Sequence, residues 1–498
     1  MALALVHSRA RCGLDAPLVT VEVHLSRGLP GFQLVGLPET SVKEAKDRVR
    51  SALINSGFEF PDHKITVNLA PADLPKEGGR FDLAIALGIL RASGQLQADL
   101  SRYEFFGELA LSGEIRSIVG EIPLALACKI AGHIAVFPLK NAIQAQQVPD
   151  MQLRGAEHLL QVHAFLSDHQ DLPAIPALPD TLTDPYPDLA EVRGQAQAKR
   201  ALEIAAAGEH NLLMFGPAGT GKSMLAQRLA GILPRLTDQE ALETAAIYSV
   251  AAQPRTLQQW YQRPFRQPHH SCSAIALVGG GSIPRPGEIS LAHRGVLFLD
   301  EVPEFPRVVL ESLRQPLESG KVFISRAARQ AEFPACFQLV VALNPSPSGH
   351  HKDGRASPEQ IRRYLSRLSG PFLDRVELQV EVPLLPKGSL SQQKKEECSE
   401  VVKRRVDAAR MVQWRRQGKA NARLNLTELE QYCYLEPTDA EYFESCLTQL
   451  KLSARSYHKL LKVARTLADL AQRPQIERSD LLEALSYRSF DRLLNYLT

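Results

Sequence analysis

Eight residues, Gly216-Pro217-Ala218-Gly219-Thr220-Gly221-Lys222-Ser223, leave the chain around them little freedom. They satisfy G-x-x-x-x-G-K-[ST] at every fixed place, and their flanks have the required form. Leu212-Leu213-Met214-Phe215 before them predicts a buried strand. Met224, Leu225, Leu229 and Ile232 after them predict a helix. Glycines at the turn let backbone N–H groups from Gly216 to Gly221 close around phosphate oxygens at a helix N-terminus. Lys222 is placed to reach the β- and γ-phosphates, and the Ser223 hydroxyl to sit on Mg²⁺. A chance glycine turn is the alternative, and a second motif weighs against it. Val296-Leu297-Phe298-Leu299 is an apolar run ending in Asp300 and Glu301. Asp300 can hold Mg²⁺ through water, while Glu301 can orient and deprotonate an attacking water. Together the motifs predict a nucleotide hydrolase that uses ATP and Mg²⁺.

A chain of 498 residues has room for about three domains. With 44% hydrophobic and 23% charged residues it is ordinary for a globular protein, which excludes wholesale disorder, collagen-like repeats and coiled coil. The net charge of +3 confines any nucleic-acid surface to a local patch. The 7 cysteines are scattered without a C-x-x-C pair, a pattern of reduced thiols. No basic n-region precedes the apolar start, and no run reaches the about 18 apolar residues of a membrane span. The expectation is a cytoplasmic protein without membrane contact.

Val19, Val21, Val23 and Leu25 alternate with polar residues, and so do Ile65, Val67 and Leu69, predicting half-buried strands. A further short strand is expected at 32–35. Ser41 and Glu44 predict a capping box for a helix ended by Gly57, and 82–90 reads as a buried helix. These elements predict an α+β domain over 1–168. Pro173, Pro176, Pro179, Pro185 and Pro187 then predict an extended linker over 169–188. An α/β ATPase core over 189–385 and a helical domain over 386–498 complete the reading.

Residues 337–343 form another apolar run, ending at Asn344, whose amide can hydrogen-bond a γ-phosphate or the attacking water. With the two motifs, this arrangement resembles the AAA+ superfamily, in which Asn344 would be sensor 1. In YLSRLSGPFLDRVEL, Arg367 and Arg375 are expected on the far side of the module. The resemblance favours Arg375 as an arginine finger aimed at a neighbouring subunit, with Arg367 in reserve and structural ion pairing as the alternative for both. Arg455, in LSARSYHKLLKVARTLADL, resembles a sensor 2 arginine, expected within its own subunit's site or at its edge; a solvated helix charge is its alternative.

QPHHSCSAIALVGGGSIPRPGEISLAHRGVLFLDEVPEF, VRGQAQAKRALEIAAAGEHNLLMFGPAGTGKSMLA and LSGPFLDR resemble the magnesium-chelatase-like branch of AAA+, specifically the ComM/YifB family, along essentially the full length. The resemblance implies a homohexameric ring, an ATP-driven DNA helicase that promotes branch migration during natural transformation. It also implies that segments 271–285 and 321–329 point into the ring's pore. The first is read as too glycine-rich for a helix or paired strand. The second is read as a basic hairpin that offers Lys321, Arg326 and Arg329 to single-stranded or branched DNA. A third basic region, from Lys394 to Arg423, is either a solvated helix face or a DNA contact. His269-His270 and His350-His351 lack partners at zinc spacing.

The N-terminal domain resembles the ribosomal-S5/Lon-protease type through NLAPADLPKEGGRFDLAIALGIL. Arg80 stands where that protease pattern needs its serine, so no acyl-enzyme can form. The domain is expected to be a binding or assembly module, with Lys76 and Arg80 as candidate DNA contacts. Two rival readings remain: a metal-insertion motor like that of magnesium chelatase, and a protein-remodelling ATPase.

Overall fold

The computed structural model describes residues 2–36, 42, 44–177, 186–281, 284–326, 329–346, 356–386, 396–450, 452 and 454–497. Ser41, Pro179, Pro185, His350, His351, Lys394 and Lys395 lie outside this set, as do the side chains of Arg326 and Arg329.

The alternation at the N-terminus builds a mixed seven-stranded sheet. Its order is Gly31–Val35, Lys64–Ala70, Leu18–Ser26, Ala2–Arg9, Tyr103–Phe105, Ile134–Pro138 and Leu153–Ala156. Val19, Val21, Val23 and Leu25 point inward with Ile65, Val67 and Leu69. The helix Asp82–Ala92 is apolar on almost every side and covers this face. A Cβ at Gly88 would stand 2.5 Å from Val23 Cγ2, so glycine sets how closely helix and sheet approach. The helix expected after Ser41 runs Ala45–Asn55 and starts at Glu44 without a side-chain cap.

The second half is built on a five-stranded sheet, all parallel: Phe265–Arg266, Val296–Leu299, Gln338–Leu343, Leu212–Phe215 and Leu378–Glu381. Its three middle strands are buried at every residue, as a parallel sheet covered on both faces requires. The C-terminal helices have no core of their own among the described residues. Val402, Val406 and Ala409 of the helix Ser399–Gln417, and Leu460, Val463 and Ala464 of Ala454–Leu470, join one cluster with Leu212, Met214 and Val340 of the sheet. Phe490 closes the opposite face with its ring 5.3 Å from that of Phe215. A further cluster joins the two halves, setting Leu124 and Cys128 of the helix Glu121–Ala131 against Ala241 and Ala245 of Asp238–Val250.

Segment 271–285 corrects the sequence reading. Ser273 caps a short helix, Ala274–Val278, and Gly279–Gly280 pairs antiparallel with Arg285–Pro286. A Cβ on Gly279 would stand 2.3 Å from the Arg285 carbonyl oxygen, and the backbone there has φ +105°; glycine permits the pairing rather than preventing it. No helix among the described residues is long and apolar enough to cross a membrane.

One buried carboxylate ties the C-terminal helices together. Asp469 accepts from Arg416 at 2.6 and 2.8 Å, from Arg465 at 2.8 Å and from Asn421 at 2.8 Å, with its side chain fully buried. Asp469→Ala leaves two guanidiniums without their anion, and is expected to destabilise this region by about 3–5 kcal/mol in chemical denaturation.

Candidate nucleotide site and its relatives

Parallel pairing gathers the carboxyl ends of the strands on one edge, where open α/β sheets bind ligands. Leu212–Phe215 runs directly into the glycine loop and then the helix Lys222–Ile232. Val296–Leu299 ends at Asp300, and Gln338–Leu343 lies between these two strands and ends at Asn344. Three stretches far apart in sequence therefore present their functional side chains on adjacent strand ends.

The Lys222 ammonium donates to the carbonyls of Gly216 and Pro217, both at 2.8 Å, and to Asn344 Oδ1 at 3.1 Å. Burial pulls its pKa down, with Asp300 and Glu301 acting in the other direction. The lysine is thus held folded back over a loop whose neutral oxygens an incoming phosphate can replace. Ser223 donates to Asp300 Oδ2 at 2.6 Å, which places the hydroxyl and the carboxylate together as oxygen ligands. That hard oxygen pair beside the glycine loop fits Mg²⁺ carried with a nucleotide. Gly216 admits no side chain, because a Cβ would lie 2.1 Å from the Val382 carbonyl oxygen.

Glu301 sits just past the strand at φ +51°, its N–H donating to Asp300 Oδ1 at 3.0 Å, with its own carboxylate half exposed. It opens onto a large cleft shared with Asn344, Gln360, Arg363 and Arg367. Two neighbours escaped the sequence reading. His270 Nδ1 lies 3.8 Å from the Glu301 carboxylate, although the histidine pair was weighed only as a metal site. Gln195, nearly buried, donates to the carbonyls of Thr220 at 3.3 Å and Pro383 at 2.8 Å, bracing the loop from behind. Its place in VRGQ, within a block already singled out, was the available signal.

The three arginines separate. Arg367 lines the same cleft as Glu301 and donates to the Pro303 carbonyl at 3.0 Å, so it is not on the far side. Arg375 is: its carbonyl accepts from Asn211 at 2.7 Å, at the start of the strand whose other end carries the glycine loop. A strand of that length spans roughly 13 Å. The Arg375 guanidinium engages Glu318 and the Pro371 carbonyl. Arg455 does not join its own subunit's loop in any described contact. It donates to Asp374 at 3.3 Å, one residue from Arg375, because the helix Ala454–Leu470 presents its first turn at that end.

The proposed DNA contacts fare differently. The hairpin exists, with Lys321–Arg326 paired to Arg329–Pro334 and Arg326 opposite Arg329 next to the turn. Lys321, however, sits at the base and is bound 2.6 Å from Glu332. Val322 and Ile324 are buried while Phe323 is exposed. Lys76 and Arg80 are both buried, which removes them as surface contacts. The basic run in the C-terminal region is largely paired within the chain. Arg405 binds Glu203 and Glu397, Arg410 binds Glu209, Arg416 binds Asp469 and Lys419 binds Glu428.

Comparison with known proteins agrees with this architecture. Residues 188–390 match the family model described as magnesium chelatase, subunit ChlI. Residues 396–488 match that of its C-terminal part, and residues 21–141 match a model described as subunit ChlI of Mg-chelatase. Competence protein ComM of Haemophilus influenzae is 55% identical over 507 residues, covering 100% of both chains. YifB of Escherichia coli is 53% identical, covering 100% of this chain and 99% of its own. The magnesium-chelatase 38 kDa subunit of Rhodobacter capsulatus is 27% identical, over 63% of this chain and 91% of its own. With the glycine loop, the paired strand-end acids and the central asparagine on one parallel sheet, the chain belongs to the ComM/YifB family of magnesium-chelatase-like AAA+ ATPases.

Proposed function

We propose that the chain is one subunit of a homohexameric ring that hydrolyses ATP to move along single-stranded or branched DNA, as a helicase promoting branch migration during natural transformation. The observation that carries the ring is the division of the site. Lys222, Ser223, Asp300, Glu301 and Asn344 lie at the carboxyl ends of the sheet, and Arg375 and Arg455 at its other end. A single subunit cannot bring the two sets together, whereas a head-to-tail ring sets one subunit's far edge against the next subunit's loop. Arg455 is accordingly assigned to the neighbour's site together with Arg375.

In the hydrolysis step Glu301 takes a proton from water as the water oxygen bonds to the γ-phosphorus and the bond to the leaving phosphate oxygen breaks. Lys222 exchanges its carbonyl partners for phosphate oxygens, and Asn344 then follows the state of the γ-phosphate through the same hydrogen-bond network. Ser223 and Asp300 would hold Mg²⁺, which when bound neutralises charge on the phosphates.

Full-length similarity to a protein named for competence supports DNA as the track, and so does the register that pairs Arg326 with Arg329. Metal insertion keeps a specific argument of its own. The family models matching residues 21–141, 188–390 and 396–488 all carry the magnesium-chelatase subunit's name.

Three outcomes are expected. ATP turnover rises several-fold with single-stranded or branched DNA, and the stimulation fades as salt is raised; no stimulation by any DNA would favour metal insertion, checked by porphyrin metallation. Glu301→Gln binds ATP and assembles, while steady-state turnover falls about 10²–10⁴-fold. Arg375→Ala assembles yet loses about 10³-fold in turnover; wild-type rates in that variant would remove Arg375 from the site.

A further inference from the structure

Where the N-terminal domain meets the ATPase module there is a cleft of about 320 Å³. Arg11, Glu77, Arg80 and Glu108 line it from one side, Val250 and Arg285 from the other. Arg80 is its anomaly. The side chain is 5% exposed, yet among the described residues its hydrogen bonds are two long ones, to the carbonyls of Glu77 at 3.3 Å and Val119 at 3.4 Å. Its Nη1 is buried with no hydrogen-bond partner among the described residues.

The two carboxylates of the cleft already face other guanidiniums. Glu77 lies 3.5 Å from Arg11, and Glu108 lies 3.6 Å from Arg116. Burial, and then the like charge of Arg11, hold the Arg80 pKa down to about 9, with the Cys12 sulfur acting the other way. A buried guanidinium with an open donor is costly unless an anion completes it. Its planar fork is matched by carboxylate and phosphate oxygens. Arg285, exposed at the mouth and belonging to the paired segment after Gly279–Gly280, adds a third cation.

We infer that this cleft binds a small oxyanion, a phosphate or carboxylate group, seated against the Arg80 guanidinium and flanked by Arg11 and Arg285. The volume suits a small molecule and excludes a duplex. Because the cations come from both sides, the bound anion ties the N-terminal domain to segment 271–285, which the proposed motor uses near its pore. The site itself does not depend on that reading.

The test uses the full chain carrying Lys222→Ala, so that the glycine loop does not report as the phosphate site. Inorganic phosphate and succinate are titrated at ionic strength matched with chloride, following thermal unfolding and calorimetric heat. A saturable response to phosphate alone assigns a phosphate-bearing ligand, to succinate alone a carboxylate, and to both a general oxyanion site. Arg80→Met in this background is expected to weaken binding at least about tenfold. Arg285→Ala, a change at an exposed residue, should weaken it several-fold and decides the matter if Arg80→Met does not fold. Equal responses to phosphate, succinate and chloride would overturn the inference, and so would binding unchanged by both substitutions.

Discussion

Everything at the nucleotide site depends on one pairing: the strand Gln338–Leu343 lies in parallel register between Leu212–Phe215 and Val296–Leu299. Leu343 is opposite Phe215, and Val341 is opposite Leu299. That register brings Asn344 to the Lys222 ammonium, with Asp300 and Ser223 meeting from the two flanking strands, so one slip of the central strand would dismantle the Asn344 contact. The three strands are buried on both faces. The apolar core therefore positions the polar chemistry.

The same sheet separates what it cannot unite. Its carboxyl edge carries the glycine loop, the carboxylates and the asparagine, while its opposite edge carries Arg375 with Arg455 alongside. The C-terminal helices share their core with the sheet, and Arg455 begins a helix locked by Asp469 to its neighbours. The paired strands Lys321–Arg326 and Arg329–Pro334 follow Glu301 in the chain after three short helices.

The placement of the glycine loop, both strand-end acids and Asn344 at adjacent strand ends was legible because each depends on a local pattern, an apolar run followed by a polar residue of fixed type. The N-terminal strands were legible for a related reason, since alternation alone decides which face is buried. What sequence could not supply was tertiary pairing. Lys321 in KVFISRAAR looked free until the register set it beside Glu332. Lys76 and Arg80 looked exposed because nothing local announces that a basic side chain is buried. Arg410 and Arg416 are taken up by Glu209 and Asp469, partners far along the chain. The glycine-rich insertion misled in the other direction. Its positive-φ glycines are what let two strands approach, a role visible only once Arg285 is seen opposite Gly280.

The central claim is that no subunit completes a site alone. Its most direct test is to co-express two individually inactive variants, Lys222→Ala and Arg375→Ala, and measure ATP turnover of the mixed assemblies. The account predicts recovery: at equal proportions about a quarter of head-to-tail interfaces pair an intact loop with an intact arginine. Mixed assemblies that remain as inactive as either parent would contradict a site shared between subunits.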